Sequence, residues 1–109
     1  AEARRDAAAD CHRDDASAAR LLTREAAVLA DAGADPKVVH AKASLAKLFA
    51  SEAYVKAANN GMQILGGFGY NMEFDMQRHF RDARAATIAA GTSQVQRNLL
   101  AGLMGLKVQ

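Results

Sequence analysis

The sequence predicts an all-α protein, an antiparallel helical bundle, on three observations. Apolar side chains recur at three- and four-residue spacing over long stretches. No segment alternates apolar and polar residues over the length of a strand, and glycine and proline gather where one helical run gives way to the next. The 109 residues suit one domain, spanning 1–109, that buries about two thirds of the surface of its unfolded chain.

The first helix is expected at about residues 1–32, as one rod or as two helices meeting around "CHRDDASA". Alanine, arginine, leucine and glutamate favour helix, and Ala18, Leu21, Leu22, Glu25, Val28 and Leu29 are expected to share much of one face. The opening "AEARRDAAAD" has little beyond alanine to bury and reads as a solvated or frayed end. The run then stops at "ADAGADP": Gly33 suits the left-handed position past a last turn, Asp35 is a cap, and Pro36 opens the next helix.

The second helix is expected at about 36–64. Val38, Leu45, Leu48, Phe49, Glu52, Val55 and Met62 repeat at near-helical spacing, while Lys37, Lys42, Lys47 and Lys56 cover other faces. Alanines at 41, 43, 46, 50, 53, 57 and 58 allow neighbouring helices to come close. Gly66 and Gly67 end it, because each glycine costs about 1 kcal/mol relative to alanine in a helix. A turn and a short helix at about 74–80 follow, and the alanine stretch 83–90 shows no strong apolar face. The last helix, about 92–104, is capped by Thr92 or Ser93 and carries Val95, Leu99 and Leu103 as one stripe. Half the residues are apolar, but many are alanine, which buries little area, so the bundle needs a partner surface.

Charge and composition exclude several functions. Fourteen basic and twelve acidic residues give a net charge of +2 with the signs interspersed, and aromatic residues make up only 6%, so no nucleic-acid platform is expected. The lone Cys11 rules out an internal disulfide and points to a cytoplasmic or other reducing intracellular setting. No apolar run reaches the length of a membrane span, and none is expected. His12, His40 and His79 lack ligand-type partners one helical turn away, so no metal site is expected. Ser93 has no nearby histidine to activate it. Arg81, Asp82 and Arg84 are expected to form an Arg–Asp bridge that fixes the loop after them.

What remains are groups beside the glycine turns. Gln63 precedes Gly66-Gly67 and Gln94 follows Gly91, each an uncharged donor and acceptor. A helix starting at Thr92 presents free N–H groups and its positive dipole end, which suit a phosphate or pyrophosphate. On these residues alone, a capped helix and glycine turn with no ligand remains an equal alternative.

The segment "QILGGFGY", then Arg78 and "RDAR" at 81–84, and "GTSQ" at 91–94 with Arg97, occur in an order and at separations that resemble the carboxy-terminal helical domain of the acyl-CoA dehydrogenases. The resemblance is firm over residues 42–101 and extends to the helix before them, which implies a partial four-helix domain lacking its first helix. It implies an FAD-dependent oxidation of acyl-CoA to trans-2-enoyl-CoA, with electrons passed to an electron-transferring flavoprotein. Gln63, Gly66 and Gly67 would lie against FAD held mainly by another subunit; Thr92 and Gln94 would also approach it. Ala90 and Gly91 would contact the thioester carbonyl. Many members carry the catalytic glutamate where this chain has Ala90, so no catalytic residue is expected here, and the isolated chain is expected to be inactive. The base would come from an earlier helix, and the partner would be the remainder of the dehydrogenase or a partner subunit in a homo- or hetero-oligomer. Two alternatives stand beside this: a non-catalytic structural or assembly subunit, and a fragment of a related flavin monooxygenase or nitroalkane oxidase.

Overall fold

The computed structural model describes residues 2–106, with side chains from His12 to Leu106. Five helices follow one another: α1 (Glu2–Asp31), α2 (Pro36–Leu65), α3 (Gly67–Tyr70), α4 (Met76–Ala86) and α5 (Ser93–Leu103), and the described residues contain no strand. The expected outer limits at Ala1 and Gln109, the side chains of the "AEARRDAAAD" segment and that of Cys11 lie outside the described residues.

The α1–α2 link forms as its residues dictate. Gly33 takes a φ of 68°, Asp35 accepts a hydrogen bond from the Lys37 amide at 2.9 Å, and Pro36 opens α2. A link this short makes the two long helices an antiparallel pair. α1 is a single rod with no break at "CHRDDASA". Its inward stripe is Asp15, Ala18, Leu22, Ala26 and Leu29, whereas Leu21 and Val28 are exposed. The expected face was too wide, because α1 packs on α2 alone and one neighbour covers only one stripe of a helix. Lys42–Glu25 at 2.7 Å and Lys56–Asp15 at 3.0 Å tie the pair together. Being partly exposed, they contribute at most about 1 kcal/mol each.

α2 is the central helix, touching α1, α3, α4 and α5. Its buried residues are small: Ser44, Ala46, Ser51 and Ala58. Gly66 ends it at φ 58°, its N–H bonded to the Met62 carbonyl at 2.9 Å. The chain then makes the single turn of α3, which the sequence did not suggest, with Gly69 buried against α2. α4 also differs from expectation: it runs to Ala86 rather than to Phe80. The alanine stretch does own a packing face, small but effective, because Ala83 is completely buried and the buried Thr87 follows one turn later. The expected Arg81–Asp82 bridge does not form. Arg81 donates to Gln77 at 2.6 Å, and Arg78 pairs with Asp75 at 3.3 Å, since adjacent residues on a helix diverge while those three or four apart meet.

No large side chain is fully buried among the described residues, and Leu21, Val28, Phe68, Tyr70, Met72 and Met104 are all at least 65% exposed. The radius of gyration is 16.5 Å, against about 13 Å for a compact domain of this length. The helices therefore form a thin layer around α2, with apolar faces open to further contact.

Gly69 tests how tightly α3 lies on α2. An added Cβ would sit 3.1 Å from the Met62 carbonyl oxygen and 3.0 Å from the Leu65 Cβ, neither free to swing away. Gly69→Ala is expected to destabilise the fold by about 1–3 kcal/mol in thermal or urea denaturation.

Candidate functional site

α4 does not run directly into α5. After Ala86 the chain passes through turns at 87–90 and reverses at Ala90 and Gly91, with φ of 53° and 89°. Ala90 is the one non-glycine residue with positive φ among the described residues. For an alanine, that conformation costs about 1–2 kcal/mol.

Two side chains hold the turn. The Gln96 amide nitrogen donates to the Ala90 carbonyl at 3.1 Å, and the Lys47 ammonium, arriving from α2, donates to the Gly91 carbonyl at 2.5 Å. A neutral hydrogen bond contributes about 0.5–1.5 kcal/mol and a charged one about 1.5–3 kcal/mol, so together they outweigh the strain. The buried Gln96 and half-buried Lys47 shield both bonds from water. The Ser93 amide bonds back to the Thr87 carbonyl at 3.1 Å, while the N–H groups of Ala90 and Gly91 take no part in the backbone bonds that close the turn.

Thr92 then caps α5, accepting from the Val95 amide at 3.3 Å. The α5 N-terminus opens onto a cleft of about 340 Å3 shared with α2 and α4. Thr92, Ser93 and Gln94 line one wall and Glu52, Arg84 and Arg97 the other. Arg97 is neutralised by Glu52 at 2.6 Å, whereas Arg84 carries no ion pair among the described residues. The buried Ser93 hydroxyl has no hydrogen-bond partner in the chain. A helix N-terminus, an unpaired arginine and an unsatisfied hydroxyl facing one cleft make a favourable seat for an anionic group. On the far side of the turn, Lys47, Ala50, Ala86, Ala89 and Ala90 border a second, almost wholly apolar hollow of about 400 Å3.

The predicted site residues thus fall in two places. Ala90, Gly91, Thr92 and Gln94 are contiguous at the turn and the cleft. Gln63, Gly66 and Gly67 are exposed at the end of α2, with open space where side chains would stand on the two glycines. Gln63 lies eight residues beyond Val55, the last α2 residue lining the cleft, roughly 12 Å along the helix at 1.5 Å per residue. Lys47, Gln96, Arg84 and the Ser93 hydroxyl were not singled out as site residues from sequence. Lys47 read as one of four lysines on outer faces, and nothing local ties it to a glycine 44 residues away. The histidines serve packing and surface contacts: His79 meets the Tyr54 hydroxyl at 2.9 Å, and His12 meets the Asn60 amide at 3.1 Å. No group of three or more metal-ligating side chains occurs among the described residues.

A strand-free layer of helices around one central helix, with a capped N-terminus behind a left-handed turn, defines a helical domain built to meet other surfaces. The chain belongs to the acyl-CoA dehydrogenase family: residues 3–104 match the family model "Acyl-CoA dehydrogenase, C-terminal domain". It is 49% identical over 84 residues to the mitochondrial short-chain specific acyl-CoA dehydrogenase of Bos taurus, which covers 77% of this chain and 20% of that protein. It is also 46% identical over 92 residues to the 3-sulfinopropanoyl-CoA desulfinase of Variovorax paradoxus, covering 84% of this chain and 22% of the relative. Among solved structures, the "FAD complex of PigA" superposes with a TM-score of 0.79 at 26% identity, over 86% of this chain and 24% of that one. The chain spans about a fifth of the length of the curated relatives it matches. No described helix is long and apolar enough to cross a membrane.

Gly91→Ala probes the turn. At φ 89° an alanine is strained, and its Cβ would lie 2.7 Å from the Gln96 amide nitrogen, displacing the bond to Ala90. A loss of about 1–3 kcal/mol in denaturation is expected, together with faster amide exchange at residues 87–93.

Proposed function

We propose that this chain is the C-terminal helical part of an FAD-dependent acyl-CoA dehydrogenase, contributing cofactor- and substrate-contacting groups at a subunit interface. The observation that carries this is the left-handed Ala90–Gly91 turn feeding directly into the capped N-terminus of α5 beside a polar cleft. The reading is supported by family membership and by an FAD complex among the structural neighbours.

The residues present fit the cofactor. The N-terminus of α5, Thr92, Gln94 and the unpaired Ser93 hydroxyl would receive a phosphate-bearing portion, and Arg84 adds positive charge. Gln63, Gly66 and Gly67 stand too far off to serve the same atoms; their open backbone suits an extended ligand's other end, or cofactor held by a neighbouring subunit. Bound FAD supplies the hydride acceptor that no side chain here can be. The backbone at Ala90 and Gly91 would orient the acyl thioester, with polar contact to its carbonyl favouring the charge that develops there as the α-proton leaves. A methyl group at position 90 cannot take that proton. The base therefore comes from outside these residues, and the apolar hollow beside Ala90 keeps water-competing polar groups away from the turn. The acceptor that re-oxidises the system is an electron-transferring flavoprotein, and the working unit is an oligomer.

The missing carboxylate and the desulfinase relative favour a second reading. In it the same turn holds a 3-sulfinoacyl-CoA, and water and the sulfinate yield the saturated acyl-CoA and bisulfite without net oxidation. The two are told apart by product: 2-enoyl-CoA with reduced acceptor, or bisulfite.

In the complete protein, Gln63→Ala and Gln94→Ala are each expected to weaken FAD binding by a few-fold to about thirtyfold, the loss from one hydrogen-bonding partner. Titration of the apoprotein with FAD checks this, and unchanged affinity in both variants and their double would defeat the assignment. The purified 109-residue chain is expected to show no acyl-CoA oxidation with FAD and an artificial acceptor. Robust turnover would show that base and flavin seat both lie within it.

A further inference from the structure

We propose that Lys47 and Gln96 are positioning residues for the reaction, orienting and polarising the backbone N–H groups of Gly91 and Thr92. The inference rests on the reading of the Ala90–Gly91 turn as the thioester-contacting backbone, and deepens it. A peptide unit is planar and trans, so its carbonyl and N–H point in opposite directions. The Ala90 carbonyl shares its peptide unit with the Gly91 N–H, and the Gly91 carbonyl shares its unit with the Thr92 N–H. Gln96 holds the first carbonyl at 3.1 Å and Lys47 the second at 2.5 Å. Fixing both carbonyls fixes both N–H directions, at the two residues that lead into α5.

The same bonds act electronically. A donor on a carbonyl draws density through the amide and makes the N–H of that unit a stronger donor, the more so at low local dielectric. Here one donor is a full ammonium charge on a half-buried side chain, and the other is a buried amide. The turn has little else to hold it, since Ala90 stands in a conformation an L-residue avoids and its own amide closes no backbone bond. The two side chains reach it from different elements, α2 and α5, so the geometry of the turn also depends on how those helices pack. An oxygen acquiring negative charge would feel both effects; one that stays neutral would feel them weakly. Loss of either side chain should therefore fall mainly on kcat.

The test uses the complete enzyme containing this domain, with Lys47→Met, Lys47→Arg and Gln96→Leu, and a chromophoric aromatic enoyl-CoA as probe. Hydrogen bonding to its thioester carbonyl shifts its absorption band to longer wavelength. Wild-type enzyme is expected to show the shift. Lys47→Met and Gln96→Leu should each lose most of it and lower kcat on acyl-CoA at least tenfold, with FAD content unchanged. Lys47→Arg, which keeps a charged donor, should recover most of both. A full shift and full kcat in both loss variants would overturn the positioning role while leaving the thioester-binding reading intact. No shift and no acyl-CoA turnover in the wild type would overturn both. If one loss variant fails to fold, the other and Lys47→Arg still decide: an unaltered shift in Gln96→Leu, or a lost one in a folded Lys47→Arg, counts against the proposal.

Discussion

The structure depends on how closely other helices can approach α2. Its buried positions are Ser44, Ala46, Ser51 and Ala58, side chains too short to hold neighbours apart. Gly69 of α3 and Ala83 of α4 answer them with equally small residues. Close backbones gain dispersion contacts along their length, and lysine and arginine can then bridge from one element to another. Lys42 and Lys56 reach α1, Tyr54 reaches His79 of α4, and Glu52 reaches Arg97 of α5. Larger residues at the buried positions would push these pairs apart, and with them the one contact that bears on function, Lys47 to the Gly91 carbonyl.

The same economy of side-chain volume leaves the helices without a deep interior. A layer whose buried members are alanine and serine removes little apolar area from water, and Leu21, Val28, Phe68 and Tyr70 remain on the outside. A chain that matches about a fifth of its relatives' length would show such faces if they meet the rest of a larger protein or another subunit. The two groups of site residues agree with this. The α5 N-terminus and the α2 C-terminus present polar, open backbone in separate places, an arrangement suited to a long ligand or to two ligands crossing a subunit boundary.

Much of this was legible in the sequence. The link at Gly33-Asp35-Pro36 is local chemistry: a left-handed position, a carboxylate in reach of an amide two residues on, and a ring that pre-sets φ. The end of α2 at Gly66 and the cap at Thr92 are local in the same sense, and so is the recognition of the family from glycines and polar residues at fixed separations. What misled was the assumption that a packing face must be made of large residues. The stretch after Phe80 looked faceless, yet a fully buried Ala83 is enough where the helix it meets is also small.

The sequence by itself determined where helices begin and end at their strongest punctuation, because caps, glycines and proline act within a few residues of themselves. It also determined that position 90 offers no proton acceptor, since that is a matter of which atoms are there. Only the tertiary structure decided which of two apolar stripes on α1 is covered, that Arg81 bonds Gln77 and not Asp82, and that Lys47 and Gln96 together hold the turn at Ala90 and Gly91. Those outcomes depend on which helix stands opposite and at what distance. That is a property of the packed helices, and no window of sequence around Gly91 contains the lysine that holds it.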